Sequence, residues 1–256
     1  MKRILLEAFF ERLLQAHQYE DYGPNGLQIE GKDELQRIVF ALSATRESVE
    51  YAVSVKACAL VVHHGLFWKF HGPKTITGSF YHRVAPLIKN DINLFAFHLP
   101  LDAQIEMGNA KTIADLLQLH NIRPFGENKK TYLGVSGTLP AELSGLELKN
   151  LLEKKLSHPA LHASPYDHPQ KKIKSIGIIT GGANSKWTEA AKENLDAYIT
   201  GEMSEHDWHD AREANIHMYA LGHDATETPG LQSLEKRVRE AFPLLETHFF
   251  ASHNPA

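Results

Sequence analysis

The sequence predicts an α/β protein made of two interlinked halves, each a largely parallel sheet flanked by helices. Three observations carry this. Short apolar runs rich in β-branched residues, such as Ala59 to Val62, alternate with amphipathic stretches long enough for helices. Polar, chemically versatile residues gather directly after those runs, where an open α/β sheet forms its ligand crevice. Finally, 256 residues with 43% hydrophobic and 23% charged side chains supply apolar material for one large core or two modest ones, which excludes intrinsic disorder.

Taken in order, residues 37–42 read as a strand, 46–56 as a helix, 59–62 as a strand, 80–89 as a helix, 92–97 as a strand and 110–119 as a helix. Residues 122–130 combine Pro, Gly and charge and mark the natural boundary, giving halves of 1–124 and 125–256. The second half opens with a strand over 131–139 and a helix over 146–156. The rhythm then returns: strand 175–180, helix 186–194, strand 197–200, helix 205–214, strand 217–221, helix 231–241 and a last strand near 246–250. In both halves the second strand of the series begins 22 residues after the first, at Arg37 and Ala59 and at Ser175 and Ala197. That match suggests an internal duplication, although any βαβ pair has similar lengths.

Several function classes are disfavoured by composition. Twenty-seven basic against 31 acidic residues give a net charge of −4, so charge offers no reason to expect a nucleic-acid or anionic-membrane partner. No apolar run approaches the roughly 20 residues of a membrane-spanning helix. The one cysteine, Cys58, cannot form an internal disulfide, and the opening MKRILLEAFFERLL is helical in spacing rather than a signal peptide, so a cytoplasmic location is expected.

Sixteen histidines are the anomaly. His158, His162 and His168 sit among Pro, Ser and Asp residues and read as exposed-loop residues. Others fall at predicted strand ends: His63 and His64 before Gly65, His98 through Asp102, Gly201 with Glu202, and His223 through Glu227. Consecutive strand residues point to opposite faces, so His63 and His64 share a site only where the strand has ended, and Gly65 offers that freedom; alternatively each binds a different metal ion, or one is a core histidine and the other exposed. His223 and Glu227 stand four apart, with Thr228 and Pro229 reading as N-cap and first residue of the next helix, which leaves the pair in the preceding turn. Together His63, His64, Asp102, His223 and Glu227 offer three imidazoles and two carboxylates. Such mixed N and O donors suit Zn, Mn, Fe, Ni or Co, and five ligands exceed what one open catalytic ion needs, so two ions sharing a carboxylate would account for them. Paired divalent ions lower the pKa of water and polarise an electrophile, which favours hydrolysis. His98, Glu202 and His206 are candidate proton shuttles near the same crevice, His98 equally an orienting partner of a ligand. The turn Gly181 to Ser185 could receive a phosphate but fits no phosphate-binding fingerprint and reads as a plain turn. Asn25 and Gly26 read as a turn as well, and Trp68 and Phe70 as loop aromatics that cover the site or a subunit contact or simply pack.

VVHHG at 61–65, HLPLD at 98–102, TGE at 200–202, GHDATE at 222–227, PNGLQIEG at 24–31 and the terminal NPA closely resemble the GTP cyclohydrolase I type 2 homologue family, also called the NGG1-interacting-factor-3-like family. The likeness covers essentially the whole chain. It implies a dinuclear metal site in a two-part α/β protein that assembles as a ring-shaped homohexamer. Carried over by position, it makes His64 and Asp102 ligands of one ion, His63 and His223 ligands of the other, and Glu227 the bridge. Close bacterial relatives often carry histidine where this chain has Asp224. The function implied is a metal-dependent hydrolase of a nucleotide-like small molecule. The alternative is a non-enzymatic metal-binding ring that stores or senses metal or binds a protein or nucleic-acid partner.

Overall fold

The computed structural model describes residues 1–129 and 131–255. Lys130, at the expected boundary, and Ala256, the last residue of the NPA end, lie outside the described residues. The chain forms two compact units, each with its own sheet: Met1–Leu101 joined by Leu231–His253, and Asp102–Gly230 joined by Asn254 and Pro255.

In the first unit the strand order is Gly26–Ile29, Asn93–Ala96, Ala59–His64, Arg37–Ser43, Glu246–Phe250. The last four run parallel, and Gly26–Ile29 lies antiparallel at the edge. A strand paired on both sides and covered on both faces has no polar side, which is why Ala59 to Val62 shows no alternation and is fully buried. Helix Arg46–Ser54 starts where Thr45 Oγ1 accepts from the Ser48 N–H while Ser48 Oγ accepts from the Thr45 N–H, a reciprocal cap. Val49 and Ala52 of that helix join Val84 and Leu87 of Gly78–Lys89 against Val39, Leu60, Val62 and Leu94 of the sheet. Helix Arg3–Leu14 brings Phe10 to 5.7 Å from Phe95 and 4.8 Å from Phe97. No helix among the described residues is long and apolar enough to cross a membrane.

The second unit orders its six strands His120–Asn128, Thr131–Leu143, Ile173–Ile178, Ala197–Thr200, His217–Ala220, Leu161–Ala163. Only the Ile173–Ile178, Ala197–Thr200 and His217–Ala220 trio is parallel, so this sheet is mixed rather than largely parallel. The segment that composition marks as a boundary is mostly the strand His120–Asn128, hairpin partner of Thr131–Leu143. As a sheet edge it tolerates Pro124 and exposed Arg123 without losing a ladder bond on its outer side. Helix Gly145–Leu156 is opened by a capping box between Ser144 and Glu147.

The sheets share an order over four strands. Each has three consecutive parallel strands, and the strand preceding the trio lies antiparallel against its third member. Register agrees too, with Ile38 opposite Ala59 and Ile176 opposite Ala197. The likeness of order stops at the fifth strand, which is parallel in Glu246–Phe250 and antiparallel in Thr131–Leu143.

His162 is not a loop residue. It sits in the Leu161–Ala163 strand, stacked on Tyr219 at 4.4 Å and 6°. Fully buried His217 donates from Nε2 to the Lys171 carbonyl, so its Nδ1 accepts from His162 Nε2 at 3.0 Å. Burial, with smaller contributions from His217 and Lys149, pushes the His162 pKa down to about 4. Unfolded, the ring titrates near 6.5. The unfolded chain therefore binds the proton first: stability is level above pH 6.5, falls as pH drops toward 4, and levels again below. Because His162 keeps part of its ring in solvent, the expected loss is about 1–2 kcal/mol. Urea unfolding at pH 7, 5.5 and 4 measures it, and His162→Gln, which retains a donor to His217, should remove that part of the slope.

Candidate functional site

In the first unit three imidazoles meet at the carboxyl ends of adjacent parallel strands. His63 and His64 close the Ala59–His64 strand, and His98 follows Asn93–Ala96. Although consecutive, His63 and His64 have ring centroids 4.6 Å apart, and His98 lies 5.1 Å from the first and 5.8 Å from the second. Each offers a ring nitrogen within 4.8 Å of the others, a spacing that could hold a metal ion. Both histidines still belong to the strand; they converge because it ends at His64.

The ring orientations are fixed by hydrogen-bond partners at Nδ1. His63 Nδ1 lies 2.8 Å from the Phe97 carbonyl, which can only accept, so the proton sits on Nδ1 and the Nε2 lone pair is presented. His98 Nδ1 bonds Asp21 Oδ1 at 2.8 Å in the same sense, and His64 Nδ1 meets Ser43 Oγ at 2.9 Å. This is the outer bonding that orients metal-binding imidazoles. Asp21 is buried, and its carboxylate also accepts from the N–H groups of Tyr22 and Leu99 and from Asn25 Nδ2, while Asn25 Oδ1 takes the His98 N–H. Burial pushes the Asp21 carboxyl up, but the bonds from His98, Asn25 and Leu99 outweigh it and hold the acid below its ordinary range. Asp21→Ala strands these donors and should cost about 2–3 kcal/mol, read as a lower urea midpoint at pH 7. Sequence reasoning missed Asp21: a carboxylate in the polar stretch YEDYGPNG carries no periodic signal. The expected turn at Asn25 and Gly26 is corrected: Asn25 lies in irregular backbone with its side chain tied to Asp21 and His98, and Gly26 begins the edge strand.

In the second unit Asp102 is buried and accepts from Asn109 Nδ2 at 2.7 Å and from Thr180 Oγ1 at 3.3 Å. Glu227 is buried too, its Oε1 3.3 Å from His223 Nε2, and His223 Nδ1 lies 2.6 Å from Glu202 Oε1. Burial alone would lower the His223 pKa; the carboxylates of Glu227 and Glu202 outweigh it and raise it to about 9.

One expectation is corrected here. The helix begins at His223, running to Ala241 with Pro229 inside, so His223 and Glu227 lie on one helical face rather than in the turn before it. Thr228 is not the cap, since its hydroxyl turns to Asp224 Oδ1. Instead Gly222, at φ +86°, turns the chain, and Thr226 Oγ1 bonds back to the Gly222 carbonyl.

Among the candidate proton shuttles, Glu202 contacts His223, and His98 joins the three-imidazole cluster. His206 is exposed on helix Glu205–Glu213, with Nε2 3.7 Å from Asp207 Oδ1. The Gly181–Ser185 turn is tied to the segment 201–207, the Gly181 carbonyl accepting from the N–H groups of Gly201 and Glu202, and Asn184 Nδ2 reaching Ser204 and Asp207.

In class, then, this is a two-sheet α/β protein whose strand ends and the helices that follow them carry oriented imidazoles and buried carboxylates, groups suited to a transition-metal ion. The chain belongs to the Duf34/NIF3 (NGG1p interacting factor 3) family, whose model matches residues 1–255. It is 39% identical over 256 residues to the GTP cyclohydrolase 1 type 2 homolog of Pasteurella multocida (strain Pm70), covering 100% of both chains. The same figures hold for the GTP cyclohydrolase 1 type 2 homolog of Escherichia coli (strain K12). Among solved structures, protein ybgI, described as of unknown function, matches with a TM-score of 0.91 at 38% identity, covering 100% of both chains. TTHA1606 from Thermus thermophilus matches with a TM-score of 0.88 at 26% identity over 100% of both.

Proposed function

We propose that the chain is a metal-dependent hydrolase with a dinuclear centre, acting on a nucleotide-like small molecule. The observation that carries this reading is the bonding of His63: its Nδ1 proton is committed to a backbone carbonyl, so Nε2 is presented as a lone pair, the state a cation requires. His64 and Asp102 are assigned to one ion, His63 and His223 to the other, and Glu227 to both. Divalent ions held there would activate water for attack. The chain's own residues do the rest: Asp21 fixes the His98 ring, Asn109 and Thr180 fix the Asp102 carboxylate, and Glu202 holds His223. His98 and Glu202 are the groups placed to move protons. Kinship with proteins named GTP cyclohydrolase 1 type 2 homolog supports a nucleotide-like substrate. The ring-shaped homohexamer implied by the sequence resemblance is part of the proposal and is checked by sedimentation.

The test is elemental analysis of the purified protein, followed by reloading with Mn, Zn, Fe, Ni or Co and a screen of nucleotides and phosphoesters. Two equivalents of metal per chain and turnover abolished in folded His64→Ala are expected. Protein unable to take up metal would refute the centre, whereas stoichiometric metal without turnover would replace the enzyme by a metal-storing or metal-sensing assembly.

A further inference from the structure

Beside the three imidazoles, the first unit carries an aromatic wall that the metal chemistry does not use. Trp68 stands edge-on to His98 at 5.1 Å and lies 6.1 Å from His64. Phe70 stacks beside it, 5.6 Å away at 24°, and is 68% exposed; Tyr22, 54% exposed, lies 6.0 Å from His98. Trp68 also borders a cavity of about 330 Å³ lined by Pro24, Phe67, Pro73, Lys69 and Lys74. That volume is within the range of small-molecule sites. Its walls are apolar with two cations, a combination suited to a flat ring bearing a negative charge.

The wall is built into the fold. The Lys69 N–H bonds the Tyr22 carbonyl at 2.7 Å, and Lys69 Nζ bonds the carbonyl of Asp21 at 2.6 Å. A Cβ on Gly23 would overlap the Phe67 carbonyl and touch Trp68 at 3.6 Å, so only glycine lets the two loops close to this distance. The loop that holds Trp68 is thereby fastened to the loop whose Asp21 orients His98.

We infer that this cavity is a binding subsite for a purine nucleoside monophosphate, with the base stacked on Trp68 and the phosphate near Lys74. The inference deepens the hydrolase reading by naming the group that fixes its substrate, and it rests on that reading only for the identity of the ligand as a substrate. Stacking on an aromatic side chain is sequence-tolerant, and its loss weakens binding roughly ten- to a hundredfold. Lys69 is engaged in fastening the loops, whereas Lys74, whose Nζ meets His71 Nδ1 at 3.2 Å and lies 4.7 Å from the centroid of the Phe80 ring, keeps further N–H donors for the phosphate.

The experiment is calorimetric titration of the chelator-treated protein with GMP, AMP, guanosine and ribose 5-phosphate, so that binding is read without metal or turnover. GMP or AMP should bind saturably, Trp68→Ala should weaken it roughly ten- to a hundredfold, and Trp68→Phe should restore most of it. Lys74→Ala should weaken the nucleotide but not guanosine. Binding of neither nucleotide, equal binding by Trp68→Ala confirmed folded by circular dichroism, or ribose 5-phosphate binding as tightly as GMP would each overturn the subsite. The hydrolase reading fails separately: nucleotide binding without turnover in the metal-loaded protein removes the enzyme and keeps the subsite. Equal kcat/KM on phosphoesters lacking a ring removes the subsite and keeps the enzyme.

Discussion

Glu227→Gln is expected to lower metal affinity at least about a hundredfold and to bring turnover below detection while leaving the fold intact. The amide has the shape of the carboxylate, so the buried position is still filled and the helix from His223 to Ala241 still forms. What disappears is charge. A bridging role needs two anionic oxygens, and an amide offers one neutral acceptor. Even the loss of groups that only orient metal ligands lowers affinity roughly 10- to 100-fold, so removal of the shared anion sets a larger floor. Elemental analysis after gel filtration, with circular dichroism as the control for folding, reads the result. Full retention of both ions by the variant would show that Glu227 is not the bridge.

Gly181→Ala should produce the second large effect, although Gly181 supplies no side chain. Its backbone stands at φ +65°, which costs an alanine about 1–2 kcal/mol. More damaging, the added Cβ would overlap Glu227 Oε1 and come within 3.0 Å of His223 Nε2. It would push apart the pair that the helix holds at i and i+4. A lower thermal midpoint together with metal binding weakened by about tenfold or more is expected, a displacement of about 1 Å being enough for large losses at a built site. Gly182→Ala supplies the control, because its nearest neighbour, Glu202 Oε2, lies at an ordinary 3.6 Å and its backbone is not left-handed. If the two alanine variants behave alike, crowding of Glu227 is not the mechanism.

The legible part of the molecule is that governed by periodicity and by the rule that sheets bind at their carboxyl edges. Apolar runs such as Ala59 to Val62 declare the buried parallel strands, and looking just past them finds His63, His64, Asp102 and His223. Signals that depend on tertiary context mislead. Pro229 looks like a helix start because Pro favours that position, yet the helix already has Gly222 as its pivot. The strand His120–Asn128 is hidden by residues that belong in a sheet edge as readily as in a linker. His162 resembles its polar neighbours until its stack on Tyr219 is seen. Asp21 is invisible, because burial of a lone carboxylate leaves no repeat in the sequence, and Trp68 and Phe70 are legible only as loop aromatics, since the meeting of their loop with the one at Tyr22 and Gly23 leaves none either.

The placement of Glu246–Phe250 beside Arg37–Ser43 has a consequence for how the protein is made. The second unit lies almost wholly within 102–230, so its strands have all been synthesised before the first unit's final strand is translated. Until then Arg37–Ser43 offers a bare backbone ladder to any neighbouring nascent chain. Truncation before residue 246 should therefore yield a polypeptide whose later-encoded half resists protease while its earlier-encoded half aggregates, the reverse of the order in which the two are synthesised.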